Sequence, residues 1–255
     1  MLKVLIVGYG KMGEAFGEVF KNKANVRAYD IVKERLEAAK NRGIEPCVDL
    51  VKCVEDSDIV FLSVRPSDVE SVSSSLKGIS NKLLISIVAG WSTSKLAEYF
   101  PNFRIVRLMP NINVYVKHAV IALCRGPNAT EDDVKLVKEL LQDAGHVIEV
   151  SEKFMDILTI LVGSGPALVA YLADALAWAA VRFGIDRETA LRIVAHLLIG
   201  TGKHLLERKP DDIITMVATP GGVTIEALQY MDYEGAKGII GEAIKAAVEK
   251  ERRLA

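Results

Sequence analysis

The first thirty residues constrain this chain most. An apolar run of strand type, LKVLIV (2–7), leads directly into Gly8-Tyr9-Gly10-Lys11-Met12-Gly13. EAFGEVFK follows with helical spacing, and a second strand, VRAYD, ends at Asp30. A GxGxxG pattern alone is weak. Placed between strand and helix, with an acid twenty positions after Gly10, it is a dinucleotide-binding signature. Gly8 permits the tight turn, Gly10 lets a pyrophosphate approach the backbone, and Gly13 lets the helix pack on the sheet. The helix N-terminus then faces the phosphates. Asp30 stands where a carboxylate accepts hydrogen bonds from the adenosine ribose, which favours NADH over NADPH. Lys33 and Arg35 lie nearby and are expected on a solvated helix face.

The pattern continues as an alternation. DIVFLS (58–63), LLISIV (83–88) and RIVRL (104–108) are further buried-strand runs, with helical stretches near 33–41 and 66–77. AVIAL (119–123) and HVIEV (146–150) add strands around a helix at 131–143. Such alternation predicts an α/β fold with a doubly wound, mostly parallel sheet. Ligands in such sheets bind beyond the carboxyl ends of strands. Three turns arrive at that rim: Ser63-Val64-Arg65-Pro66, Ala89-Gly90-Trp91 and Met109-Pro110-Asn111.

From Ser151 strand alternation ceases. PALVAYLADALAWAAVRFG and DRETALRIVAHLLIGTGKHLLE read as helices, and Gly184 and Asp186 mark the junction between them. The expected division is a dinucleotide domain over 1–150 and a helical domain over 151–255. Residues 157–181 are apolar enough to span a bilayer, but Gly163-Ser164-Gly165-Pro166 interrupts them and Asp174 follows. A helix apolar all round is buried in protein. In a domain this small, a partner subunit is the expected cover and a membrane is not.

Composition narrows the function classes. The 32 lysines and arginines nearly balance 33 acids, with no basic block, so nucleic acid is not an expected partner. Cys47, Cys53 and Cys124 form no CxxC pair, and the first apolar run opens at Leu2. Free thiols in a cytoplasmic setting are expected. His196 and His204 stand eight apart without an accompanying carboxylate pattern, so no metal site is expected.

Near the chain end VATPGGVTIEAL (217–228) combines hydroxyls and glycines with no acid or base before Glu226. With that segment, the motifs together resemble the pyrroline-5-carboxylate reductase family over essentially the whole chain. The resemblance rests on VGYGKMGEA, SVRP, SIVAG, RLMPN, GSGPA and VATPGGVTIEAL, in that order. The chain departs from the family pattern at Arg65, usually Lys; at Ile112-Asn113, usually Thr-Pro; at Leu168, commonly aromatic; and at Thr219, usually Ser. The resemblance implies reduction of 1-pyrroline-5-carboxylate to L-proline with NADPH or NADH. It also implies a homodimer built through the carboxy-terminal helices, with decamers in many members.

The loop suits that chemistry. A protonated pyrroline accepts hydride readily, so positioning carries much of the barrier reduction. Gly221, Gly222 and Val223 can present backbone N–H groups to a carboxylate at a helix start near Thr224. Thr219 can add a hydroxyl, and Thr224 is the candidate facing the ring nitrogen, a position the resemblance also indicates. Both threonines could equally be turn and cap residues. Two other readings stay open: a β-hydroxyacid-dehydrogenase-like oxidoreductase, and a non-catalytic NAD(H)-binding regulator. Against the first, the helix from Pro166 to Phe183 has no Lys.

Overall fold

The computed structural model describes residues 1–254. Contacts divide the chain into two compact units: Met1–Ser164 together with the chain end from Lys250, and Gly165–Glu249. The first unit therefore runs past the expected boundary at 150. The reason is packing: Met155 and Val162 are buried against Met109, Ala122 and Cys124 of the sheet, so residues 152–164 belong to its core.

The first unit is built on eight strands. They are β1 (Lys3–Val7), β2 (Asn25–Tyr29), β3 (Glu45–Pro46), β4 (Ile59–Leu62), β5 (Leu83–Ser86), β6 (Arg104–Met109), β7 (Ala119–Arg125) and β8 (Gly145–Glu149). Their order across the sheet is β3-β2-β1-β4-β5-β6-β7-β8. All neighbours are parallel except β6 and β7. The first six thus follow the doubly wound order of dinucleotide-binding sheets. DIVFLS is the fourth strand rather than the third, because the two-residue edge strand β3 is too short to show in a hydrophobic pattern. Helices α1 (Lys11–Phe20), α2 (Lys33–Asn41), α3 (Leu50–Glu55), α4 (Val69–Ser75), α5 (Thr93–Tyr99) and α6 (Glu131–Leu141) connect the strands.

Strand residues alternate between faces, and both faces here are covered by helices. Val4 and Ile6 join a cluster with Phe16, Phe20 and Phe61, in which the Phe16 and Phe61 rings lie 4.8 Å apart. Leu5 and Val7 join the opposite cluster with Leu62, Leu84, Trp91 and Phe100. That double burial makes the central strands β1, β4 and β5 read as apolar runs.

At the end of β1 the backbone turns sharply. Gly8 has φ +94° and donates its N–H to the Tyr29 carbonyl at 2.8 Å. A Cβ at Gly8 would lie 2.6 Å from the Ser63 carbonyl oxygen. At Gly13, in the first turn of α1, a Cβ would lie 2.2 Å from the Gly8 carbonyl oxygen. The strand and helix approach so closely that only hydrogen fits between them. Gly10, by contrast, has open space where its Cβ would stand.

The cysteine expectation is corrected. Cys47 and Cys53 form a disulfide with Cα atoms 6.5 Å apart, and only Cys124 is free among the described residues. The turn after β3 folds the strand end back onto α3, which a spacing of six without a CxxC pattern does not announce. Burial pushes the Cys124 thiol up to about 12, and Glu152 adds to the shift.

A short helix, α7 (Met155–Leu158), closes the first unit, and the second unit is built of helices. They are α8 (Gly165–Arg182), α9 (Arg187–Leu205), α10 (Pro210–Val217), α11 (Val223–Tyr233) and α12 (Ala236–Leu254), the last ending in the first unit. Gly184 (φ +92°) ends the turn after α8, and the Asp186 carboxylate caps α9 by accepting the Thr189 N–H at 2.9 Å. α8 and α9 pack through Ala177, Ala190 and Val194. Asp174 pairs with Arg187, whose guanidinium lies 4.6 Å over the Trp178 ring. The helical run Glu152–Arg182 is long and apolar enough to cross a membrane by length and composition. It loses α geometry at Thr159–Gly163, which form a π turn. Tyr171, Leu176, Trp178 and Phe183 stand exposed on this chain.

The glycine geometry predicts opposite outcomes for two neighbouring substitutions. Gly13→Ala is expected to lower unfolding free energy by about 1–3 kcal/mol, the usual cost of overpacking. Gly10→Ala is expected to change it by no more than about 0.5 kcal/mol, as for an unobstructed surface site. Urea titration of both variants checks the contrast.

Candidate functional site

A cleft of about 480 Å³ opens beyond the carboxyl ends of β1, β2 and β4. Of the residues singled out from sequence, Gly8, Gly10, Asp30, Ser63, Val64 and Arg65 border it. Gly8 and Ser63 meet because the Ser63 N–H donates to the Val7 carbonyl at 2.8 Å, which continues the β1–β4 pairing into the turn. The space at Gly10 opens where α1 begins, with Gly10 as the capping residue and no side chain closing the helix end. The cradle therefore fits the pyrophosphate that the glycine pattern predicts.

Asp30 is buried and organises the turn. Its Oδ2 accepts the Tyr9 N–H at 2.8 Å, and its Oδ1 accepts the Val32 N–H at 2.9 Å. Arg35 donates to Oδ2 at 3.2 Å and borders the cleft. Arg35 is exposed, as expected of a solvated helix face, and it also pairs with Asp30 at the edge of the cleft. Lys33 is exposed, as expected.

Tyr9 takes part only through its backbone. Its ring is 2% exposed and packed in the β1–α1 core, and burial raises its phenol to about 12, with Glu14 adding to the shift. Gly13 is likewise beneath the turn. Lys11 is exposed, and its carbonyl accepts the Tyr115 hydroxyl at 2.6 Å. Met12 packs partly into the core. Pro66 opens a short 3-10 turn, Pro66–Asp68, in which Arg65 pairs with Asp68 at 3.0 Å. Ala89 is exposed and Gly90 turns with φ +70°. Asn111 is buried, and its side-chain oxygen accepts the Asn113 N–H at 3.2 Å. Tyr9, Lys11, Met12, Gly13, Pro66, Ala89, Gly90 and Asn111 do not border the cleft. Leu50, Ser71, Val72 and Ser75 do, unforeseen from sequence. Leu50 and Val72 are apolar helix residues, indistinguishable in sequence from ordinary core.

In the second unit the TPGGVT segment forms a tight turn. The Gly222 N–H donates to the Thr219 carbonyl at 2.9 Å, and Gly221 takes φ +69°. A Cβ at Gly222 would lie 2.4 Å from the Thr219 hydroxyl oxygen, so that hydroxyl lies directly over the turn. The helix α11 starts at Val223, one residue earlier than expected, with Gly222 in the capping position. Among the described residues no side chain caps it. Neither threonine therefore serves as a cap, in contrast to Asp49, Ser92, Thr130 and Asp186, which each accept a first-turn N–H. Thr224 is half-buried in the first turn, and Thr219, Gly221 and Val223 are exposed.

Comparison with known proteins adds an independent line. Residues 152–254 match the family model described as pyrroline-5-carboxylate reductase dimerisation. Residues 3–90 match that described as NADP oxidoreductase, coenzyme F420-dependent. The chain is 37% identical to a pyrroline-5-carboxylate reductase of Aquifex aeolicus, over 99% of this chain and 97% of that one. It is 34% identical to the Methanosarcina acetivorans protein of the same name, over 99% and 97%. Among solved structures, a Coxiella burnetii pyrroline-5-carboxylate reductase superposes with TM-score 0.92 at 25% identity, over 99% of this chain and 98% of that one. A Plasmodium falciparum pyrroline carboxylate reductase with NADP bound gives 0.86 at 29%, over 99% and 97%. A Mycobacterium tuberculosis 3-hydroxyisobutyrate dehydrogenase, at 12% identity and TM-score 0.53 over 73% of this chain and 67% of that one, shares the fold alone. Full-length identity to those relatives, on a dinucleotide turn and a threonine turn in one chain, means that this chain belongs to the pyrroline-5-carboxylate reductase family.

Proposed function

We propose that the protein reduces 1-pyrroline-5-carboxylate to L-proline with NAD(P)H, the final step of proline biosynthesis. One observation carries the reading: α11 begins uncapped behind the Thr219 turn, with Thr224 in its first helical turn. A helix start with free N–H groups attracts an anion, which here is the carboxylate of the cyclic imine acid. Gly221, Gly222 and Val223 offer backbone to it, and the Thr219 hydroxyl adds a donor. Thr224 orients the ring nitrogen and holds its proton by hydrogen bond.

When bound, the nicotinamide supplies the hydride. The residues that would hold the dinucleotide are Gly8 and Gly10 at the pyrophosphate, with Ser63, Val64 and Arg65 along the cleft. Tyr9, Lys11, Met12 and Gly13 support that turn from behind or beside it. Pro66, Ala89, Gly90 and Asn111 belong to turns at the same strand-end rim, and we assign them to the nicotinamide side. Asp30 disfavours a 2′-phosphate, so NADH is the preferred donor. Arg35 neutralises part of that charge, which keeps NADPH usable. The exposed apolar residues of α8 support a homodimer through the carboxy-terminal helices, with a decamer as the higher assembly. A cytoplasmic enzyme with neither membrane nor nucleic-acid partner accords with the near-neutral charge balance.

Thr224→Ala is expected to lower kcat/KM for the imine acid roughly ten- to a thousandfold, the range for a lost electrostatic or proton-holding contact. Thr224→Ser should retain most activity; equal kinetics for wild type and Thr224→Ala would remove this residue from the mechanism. In steady-state assays with both donors, wild type should favour NADH. Arg35→Ala should lower kcat/KM for NADPH about tenfold, equivalent to one charge-assisted contact, and leave NADH nearly unchanged. Equal losses with both donors would place Arg35 away from the ribose.

A further inference from the structure

The Cys47–Cys53 bridge belongs to the same apolar cluster as one wall of the cleft. Cys47 follows β3 and donates its N–H to the Ala28 carbonyl of β2 at 2.7 Å. Cys53 lies in α3, whose start is capped by Asp49. The bond therefore closes a ring over residues 48–52. Within that ring Leu50 is buried, borders the cleft and packs in one cluster with Cys47 and Val54. Val64 and Val72, two further apolar residues of the cleft, pack against this cluster, as does Cys53 itself.

The local elements have little hold of their own. β3 is two residues long and lies at the sheet edge, and α3 has six residues. A helix so short is marginal without tertiary support, and a short edge strand contributes few ladder bonds. Ring closure removes conformational freedom from such a segment. Leu50, Val64, Val72 and Val32 bound an apolar portion of the cleft beside Asp30 and Arg35. A purine ring fits such a surface, with its ribose toward the charged pair.

We propose that the Cys47–Cys53 bridge is a positioning device for the dinucleotide: it holds Leu50 in the cleft wall, and opening it weakens NAD(P)H binding without altering the chemical step. The proposal rests on the reading that this cleft takes NAD(P)H. Opening by a dithiol is balanced: one reagent thiolate attacks a bridge sulfur and breaks the S–S bond, giving a mixed disulfide. The second reagent thiol then displaces the cysteine. Two electrons and two protons pass to Cys47 and Cys53, and the reagent leaves as its cyclic disulfide. Bridges in reducing compartments open and close in this way rather than persisting.

The test compares oxidised protein with protein treated with dithiothreitol, the bridge state being verified by peptide mass. NADH and NADPH binding is read by calorimetry, and turnover by steady-state kinetics. Reduction is expected to raise Kd for both nucleotides roughly three- to tenfold, a wall contact on the scale where tenfold is one decade of affinity. kcat and KM for the imine acid should stay unchanged. The Cys47→Ser/Cys53→Ser variant should bind like reduced wild type and ignore dithiothreitol, while Cys124→Ser should keep the full response. Equal Kd in both states overturns the proposal, as does a change confined to kcat, or free thiols at 47 and 53 in untreated protein. The calorimetric comparison needs no turnover, so failure of the imine-acid assay would count against the proposed reaction alone. Wild-type reduction serves the test even if the double variant does not fold.

Discussion

The carboxylate of Asp30 is the interaction on which the first unit's site depends. A buried carboxylate is tolerable only when its oxygens are fully engaged, and this one accepts from the Tyr9 and Val32 N–H groups and from Arg35. Those three donors come from the glycine turn, the start of the segment after β2, and α2. One side chain thereby sets the distance between the first and second crossover units. The nucleotide cleft is the space this arrangement leaves open. The Asp30 carboxylate is paired with Arg35, so the acid that reads as a ribose acceptor also serves as a fastening for the turn.

The sheet was legible because its central strands β1, β4 and β5 are buried on both faces and print as apolar runs. The helix junctions were legible where a residue type has one local job, as with Gly184 ending a turn and Asp186 capping α9. What escaped depends on contacts distant in sequence or on elements too short to carry a period. β3 has two residues. Leu50 and Val72 became cleft residues through the placement of short helices. The direction of the Tyr9 ring was likewise invisible: a residue inside a ligand-binding pattern proved to face the core. The threonine turn is expected to lead into a helix near Thr224, and α11 starts at Val223. That neither threonine caps the helix shows only in the hydrogen bonds themselves.

The second half poses a different physical problem. α8 carries apolar side chains around much of its circumference, and only a narrow stripe is covered by α9. Its one internal acid is matched by Arg187, which is also held against Trp178. The helix thus makes its one ion pair at mid-length, is covered along one narrow stripe, and leaves Val169, Tyr171 and Leu176 exposed. That asymmetry belongs to an association surface rather than to a self-sufficient bundle, and it accords with the dimerisation model matched over 152–254.

The close approach of β1 and α1 also governs how this segment can vary. At positions 8 and 13 a backbone oxygen stands where a methyl group would go. Tyr9 is enclosed by core residues, and Gly10 borders the cleft. Of the six residues in the turn, Lys11 alone points an exposed side chain away from all of these demands. A side chain can be exchanged there without meeting the main chain, whereas positions 8 and 13 are closed to any side chain by van der Waals exclusion from a backbone oxygen.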